Sequence, residues 1–173
     1  MSCWFAAAQM VQGAFVLGPA MGMGAESKAL FDKGLNNGRY VEFADKNNLA
    51  NMDNSEDEIM SRARSYRRQS PGVTFQSLVY LLNSYGPIWT VIRLGKHAVV
   101  LTGVSGNGDG DAEVLYNDPA SGTECKMPLT RFNSQVQWEC KGIFLHYKGG
   151  TSAPTRRKVI SCQHGVWPYS MGI

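Results

Sequence analysis

The spacing of apolar residues changes period once in this chain, at Gly86-Pro87, and that change limits the fold more than any other feature. Before it, Phe75, Leu78, Val79, Leu81 and Leu82 recur at helical intervals behind Thr74, a favourable N-cap. This predicts a helix that stops at the Gly-Pro pair. After it come short runs of strand character at 88–94 (I-W-T-V-I-R-L), 97–104 (H-A-V-V-L-T-G-V), 112–117 and 142–147. Between two of them, 105–111 (S-G-N-G-D-G-D) is built from residues that tolerate positive φ, which predicts a hairpin turn. Helices first and an antiparallel sheet second make an α+β fold.

The N-terminal run 3–17 has Gln9 and Gln12 as its only strongly polar side chains, so a helix there is expected to be apolar nearly all round and buried. Ser2 is its expected N-cap, with Cys3 in the first turn, and 18–24 (G-P-A-M-G-M-G) breaks it. A second helix is expected at 26–33, turns with one short helix at 34–58, a helix at 57–68, and a short helix or loop at 129–137. The 173 residues suit one domain, with a helical part at 1–86 and a sheet part at 87–148. The segment from 149 to 173, opening G-G-T-S-A-P-T, reads as a linker and tail.

A net charge of +3, with Arg62, Arg64, Arg67 and Arg68 in one cluster and Arg156, Arg157 and Lys158 in another, is ordinary solvated surface. Aromatic residues are not interleaved as a base-stacking platform needs, so no nucleic-acid partner is expected. No run of 18 apolar residues exists and no membrane partner is expected; the N-terminal run lacks a basic n-region and does not read as a signal peptide. Of the four cysteines none forms a C-x-x-C pair, which leaves zinc and thioredoxin motifs unsupported; no metal or cofactor is expected. With one thiol reserved for chemistry, the odd remainder points to a reducing compartment, and a single Cys125–Cys140 or Cys140–Cys162 bridge stays open.

Three residues carry the chemistry. Cys3 at a helix start sits where unpaired N–H groups and the helix dipole favour a thiolate. His97 begins a strand, and Asp118 ends the next one. Two strands joined by a hairpin bring the start of one beside the end of the other, within imidazole–carboxylate reach. The order is that of a nucleophile, its base and the base's orienting group. Each residue also has a plainer reading: a buried small hydrophobe for Cys3, a strand-start surface residue for His97, and a turn former before Pro119 for Asp118. His146 and the Cys162-Gln163-His164 string read as structural or accidental. Asn107, Asp109 and Asp111 alternate as in a calcium loop, but Ala112 replaces the required glycine and Asp118 the terminal Glu, so a turn is expected. Trp89, Trp138 and Tyr85 fit either core or cleft.

The segments S-C-W-F-A-A-A, G-K-H-A-V-V-L-T-G and Y-N-D-P-A-S-G, in this order, resemble papain-like cysteine peptidases, in particular the bacterial branch of bacteriocin-leader peptidases and plant-pathogen effector proteases. The resemblance runs from about residue 2 to residue 147. It implies Cys3 as nucleophile, His97 as general base and acid, and Asp118 as orienting carboxylate, in a two-lobed fold with a polypeptide substrate in the cleft. It also places an oxyanion-binding Gln shortly before the nucleophile, where this sequence has Met1 and Ser2. Backbone N–H groups at the helix start, that of Cys3 included, stand in for it; a native chain that begins earlier would supply one.

The reading is a cysteine peptidase working through an acyl-thioester, delivered by a specialised secretion system from a bacterial cytoplasm into a target cell as a toxin or effector. A cognate inhibitor or immunity protein would then cover the cleft. The same three residues also serve a glutamine deamidase or transglutaminase-like effector, and without activity they would leave a binding module. Oligomeric state is not legible.

Overall fold

A computed structural model describes residues 3–14, 42–44, 47, 49–52, 72–93, 97–138 and 142–149. The elements are α1 (Cys3–Gly13), β1 (Leu49–Asn51), α2 (Phe75–Tyr85), β2 (Ile88–Ile92), β3 (His97–Ser105), β4 (Glu113–Asp118), β5 (Thr123–Pro128), α3 (Leu129–Gln135) and β6 (Phe144–Tyr147). The six strands form one antiparallel sheet in the order β1-β6-β2-β3-β4-β5. The expected helices at 26–33 and 57–68, the Ser2 cap and the tail from 150 onward lie outside the described residues.

The central strands are covered on both faces. All five residues of β2 are buried, as are eight of the nine in β3. Trp89 lies opposite Leu145, and Thr90 opposite Phe144, so the two pairs point to opposite faces. On the first face Trp89 donates its indole N–H to the Trp4 carbonyl of α1 at 2.9 Å. On the second, Phe144 meets Phe132 of α3 edge-on and stacks on Trp138. His146, two residues beyond Phe144, sits against Tyr85 at the end of α2 on that same side.

Helix α1 buries one stripe rather than its whole surface. Trp4, Ala7, Ala8 and Val11 fall at i, i+3, i+4 and i+7 and are buried with Phe5, while Ala6, Gln9 and Gln12 are only half-buried. The alanines let the helix lie close on β3. Gln12 meets the sequence behind it by donating its side-chain amide to the Asn47 carbonyl.

Helix α2 begins where its cap was read. Thr74 Oγ1 accepts the Ser77 N–H at 3.1 Å, and Asp109, reaching over from the β3–β4 turn, accepts the Phe75 N–H at 2.6 Å. Gly86 ends the helix at φ 74°, a backbone that glycine adopts without strain. Asp111 is likewise used within the turn, on Asn107.

Two strands escaped the sequence. β1 lies in the segment read as turns with one short helix, and pairs with β6 through Leu49↔Tyr147 and Asn51↔Leu145. β5 follows the Ser121-Gly122 turn, and of its residues Met127 alone is buried. The strand expected to run to Leu94 stops at Ile92, where Arg93 turns the chain.

A side-chain clamp joins α3 to the start of α2. Asn133 accepts the Val73 N–H at 3.1 Å and donates to the Val73 carbonyl at 2.9 Å, replacing a backbone partner at both ends. A Cβ on the neighbouring Gly72 would collide with the Asn133 amide, so the clamp requires glycine there. Asn133→Ala leaves two backbone groups unsatisfied and should destabilise the fold by about 1–3 kcal/mol, read as a lower urea midpoint at unchanged m-value.

Candidate active site

His97 opens β3 directly opposite Ile92. Asn117 faces Val100, so the next residue, Asp118, comes level with Val99, on the same side of the sheet as His97 and diagonal to it. The side chains meet there: His97 Nε2 lies 2.8 Å from Asp118 Oδ1, with both residues buried (7% and 9% exposed).

A local turn aims the carboxylate. Asp118 Oδ1 also accepts the Ala120 N–H at 2.8 Å across Pro119, an Asx turn. The Asp118 carbonyl accepts the Gly122 N–H at 2.9 Å, and Gly122 takes φ 68° to close the loop. Asp118 is thus turn former and histidine partner at once; the two readings of the sequence were not exclusive. Burial alone would raise its carboxyl. The bond from the Ala120 amide, the bond and charge of His97 and the charge of Arg93 outweigh burial and hold it below the ordinary carboxylate value.

An ionised carboxylate only accepts, so His97 Nε2 carries the proton in this bond. In the neutral ring Nδ1 then bears the lone pair. Among the described residues Nδ1 makes no hydrogen bond.

Cys3 is the first residue of α1, a free, half-buried thiol. Its neighbour Trp4 is fixed by the Trp89 indole at its carbonyl and by the Phe43 ring edge at 4.9 Å; Phe43 in turn lies 5.4 Å from Trp89. The helix packs on β3, the strand that His97 begins. The structure brings His97 and Asp118 into contact and places Cys3 on the helix that packs on the strand of His97; no hydrogen bond joins the thiol to His97 among the described residues.

The remaining candidates resolve structurally. Trp89 and Trp138 are core, and Tyr85 packs on His146. His146 has its basicity lowered by burial, partly offset by its Nδ1 donating to the Tyr147 carbonyl. Cys125 is free, so it forms no bridge to Cys140; Cys162 and His164 lie outside the described residues. Among the described residues no three His, Cys, Asp or Glu side chains are grouped to hold a metal ion. The sequence did not single out Ala120, whose amide fixes the carboxylate, or Arg93, whose charge reaches it. The D-P-A-S-G string was the signal for the first; the second had none.

A family model described as papain-like cysteine protease AvrRpt2 matches residues 1–137. The chain belongs to this family. It is a papain-like cysteine protease, a hydrolase of polypeptides, and the match runs from α1 through α3 and includes Cys3, His97 and Asp118. The fold agrees at the level of helices combined with a six-stranded antiparallel sheet. β6 lies beyond the matched segment and yet sits between β1 and β2.

The lowered Asp118 carboxyl fixes the sign of an acid effect. Its contribution to stability is complete above the unfolded-state value of about 3.9 and is lost as pH falls through the lower folded value. The stability difference between wild type and Asp118→Asn should therefore be flat above about pH 5 and shrink below about pH 4. Urea midpoints measured across that range check this; a difference that widens with acid contradicts it.

Proposed function

We propose that Cys3, His97 and Asp118 form the catalytic triad of this protease, in a cleft between α1 and the sheet that divides the molecule into two lobes. The observation that carries the reading is the buried 2.8 Å bond between His97 Nε2 and Asp118 Oδ1. It commits Nε2 and leaves Nδ1 to serve as the base. In this reading Nδ1 takes the Cys3 proton, and the start of α1 favours the resulting thiolate. The sulfur attacks the scissile carbonyl, and backbone N–H groups at the helix start receive the oxyanion. His97 returns the proton to the leaving amine, and the acyl-thioester is hydrolysed by a water that Nδ1 deprotonates. Asp118, kept ionised, holds the ring and supports the imidazolium.

An effector role completes the proposal: delivery from a bacterial cytoplasm by a specialised secretion system, action on a polypeptide of the target cell, and a cognate inhibitor before delivery. The support is the likeness of the motifs around the three residues to effector proteases.

Cys3→Ala and His97→Ala should each lower peptide cleavage by about 10³-fold or more, and Asp118→Ala by about 10²–10⁴-fold, with circular dichroism unchanged. Mass spectrometry of target-cell proteins incubated with wild type and Cys3→Ala reads the reaction class. New peptide termini that need Cys3 support the peptidase; one-dalton shifts without new termini would indicate deamidation. A Cys3 thiol alkylated at pH 6 no faster than free cysteine would indicate an inactive binding module.

A further inference from the structure

The edge of a sheet is a template for another strand, and β5 is the longer of the two edges. It has six residues where β1 has three. Among the described residues no strand lies along its outer side. Thr123, Glu124, Lys126 and Pro128 are exposed, Cys125 is half-buried and free, and Met127 is buried.

The order of these side chains selects a partner. Glu124 and Lys126 flank Cys125 and, two residues apart, share one face of the sheet. When a second β5 lies antiparallel with Cys125 opposite Cys125, Glu124 of each copy faces Lys126 of the other, and the match occurs twice. Antiparallel pairing centred on Glu124 or on Lys126 sets like charges against each other, as does in-register parallel pairing. Like charges directly opposite are destabilising. A shift of one residue leaves each charge facing an uncharged residue. The charges that repel other strands from this edge therefore fit the same sequence run backwards.

Both charges are available for that match. Glu124 is exposed and has no side-chain partner among the described residues. Lys126 meets Glu113 of β4 at 2.9 Å, and its ammonium has three donors, enough for a second carboxylate. Pro128, which has no N–H to give a ladder, falls opposite Gly122, in the turn before β5 begins.

We propose that β5 is a self-association edge: two copies of this chain join β5 to β5 about a two-fold axis that passes between their Cys125 residues, extending one antiparallel sheet through both. The contact is isologous, as a closed dimer requires. The axis stands perpendicular to the sheet, so the His97–Asp118 pairs of the two copies lie on the same side of it. Thr123 pairs with Asp118 within each copy, so the partner's strand runs two strand spacings, about 10 Å, from the strand that carries the carboxylate. The second copy thereby braces the hairpin whose turn aims Asp118. The inference does not depend on the triad reading.

The test is sedimentation equilibrium of the full chain, from about 1 µM to about 1 mM. Wild type should pass from monomer to dimer across this range. Glu124→Lys and Lys126→Glu should each weaken the dimer about tenfold or more, because each sets like charges opposite each other at two places. The double variant Glu124→Lys/Lys126→Glu should dimerise again. An equimolar mixture of the two single variants should form a mixed dimer, since every facing pair is then opposite in charge; this arm needs no comparison with wild type. Circular dichroism of each variant should match wild type, as both positions are exposed. A short bis-maleimide should give a covalent dimer of wild type that Cys125→Ser lacks. A chain that stays monomeric throughout, leaving the edge bare or open to a strand of another protein, overturns the proposal. So do a dimer indifferent to both single reversals, single variants that do not pair with each other, and the absence of any cross-link that needs Cys125.

Discussion

Strand β3 must be paired on both edges and covered on both faces, and most of the molecule is arranged to meet that demand. Its buried run from His97 to Val104 makes hydrogen bonds to β2 and β4, and helices α1 and α2 both pack on it. An unpaired backbone group there would cost about 1–3 kcal/mol, so the neighbours cannot slip without exposing or orphaning something. His97 is attached to this rigid element at its first residue, where the imidazole is buried against Asp118. Register then delivers the carboxylate: a one-residue slip of β4 would turn Asp118 to the far face. The pairing that stabilises the sheet is the pairing that builds the His97–Asp118 contact.

What could be read in advance follows from how local each signal is. Thr74, the Phe75–Leu82 stripe and Gly86 contain a helix with both its ends, and α2 forms as written. The apolar runs of β2 and β3 announce strands because they are buried on both faces. The His97–Asp118 contact was legible because hairpin geometry relates a strand's start to its partner's end. β1 was not: Leu-Ala-Asn has no alternation to detect, and it is a strand because β6 presents a free edge to it. β5 was not, since Glu124, Lys126 and Pro128 belong to an edge that faces water, and such strands are written to discourage further pairing. The burial of α1 was overestimated because alanine suits both a buried and an open face.

Turns contribute as much to the site as strands do. Between Asp118 and Gly122 one side-chain oxygen, one amide and one positive-φ glycine convert a strand end into a fixed carboxylate. At the other end of the same hairpin, Asp109 is spent on the first turn of α2, so the loop opposite the site anchors a helix instead of a ligand. The aromatic contacts among Trp4, Phe43 and Trp89 do a comparable service for α1, tying the residue beside the thiol to the middle of the sheet.

The position of β6 has a consequence for how the chain comes into being. Among the described residues the last strand in sequence is the second in space, wedged between β1 and β2. As the polypeptide leaves the ribosome, the meander from β2 to β5 can zip up by itself, with each strand meeting its partner within a few residues. β1 was made long before, yet it has nothing in the sheet to lie against until residues 144–147 emerge. Pairing of β1 thus waits on a strand some ninety residues further along the chain, a long-range step of the kind that slows folding.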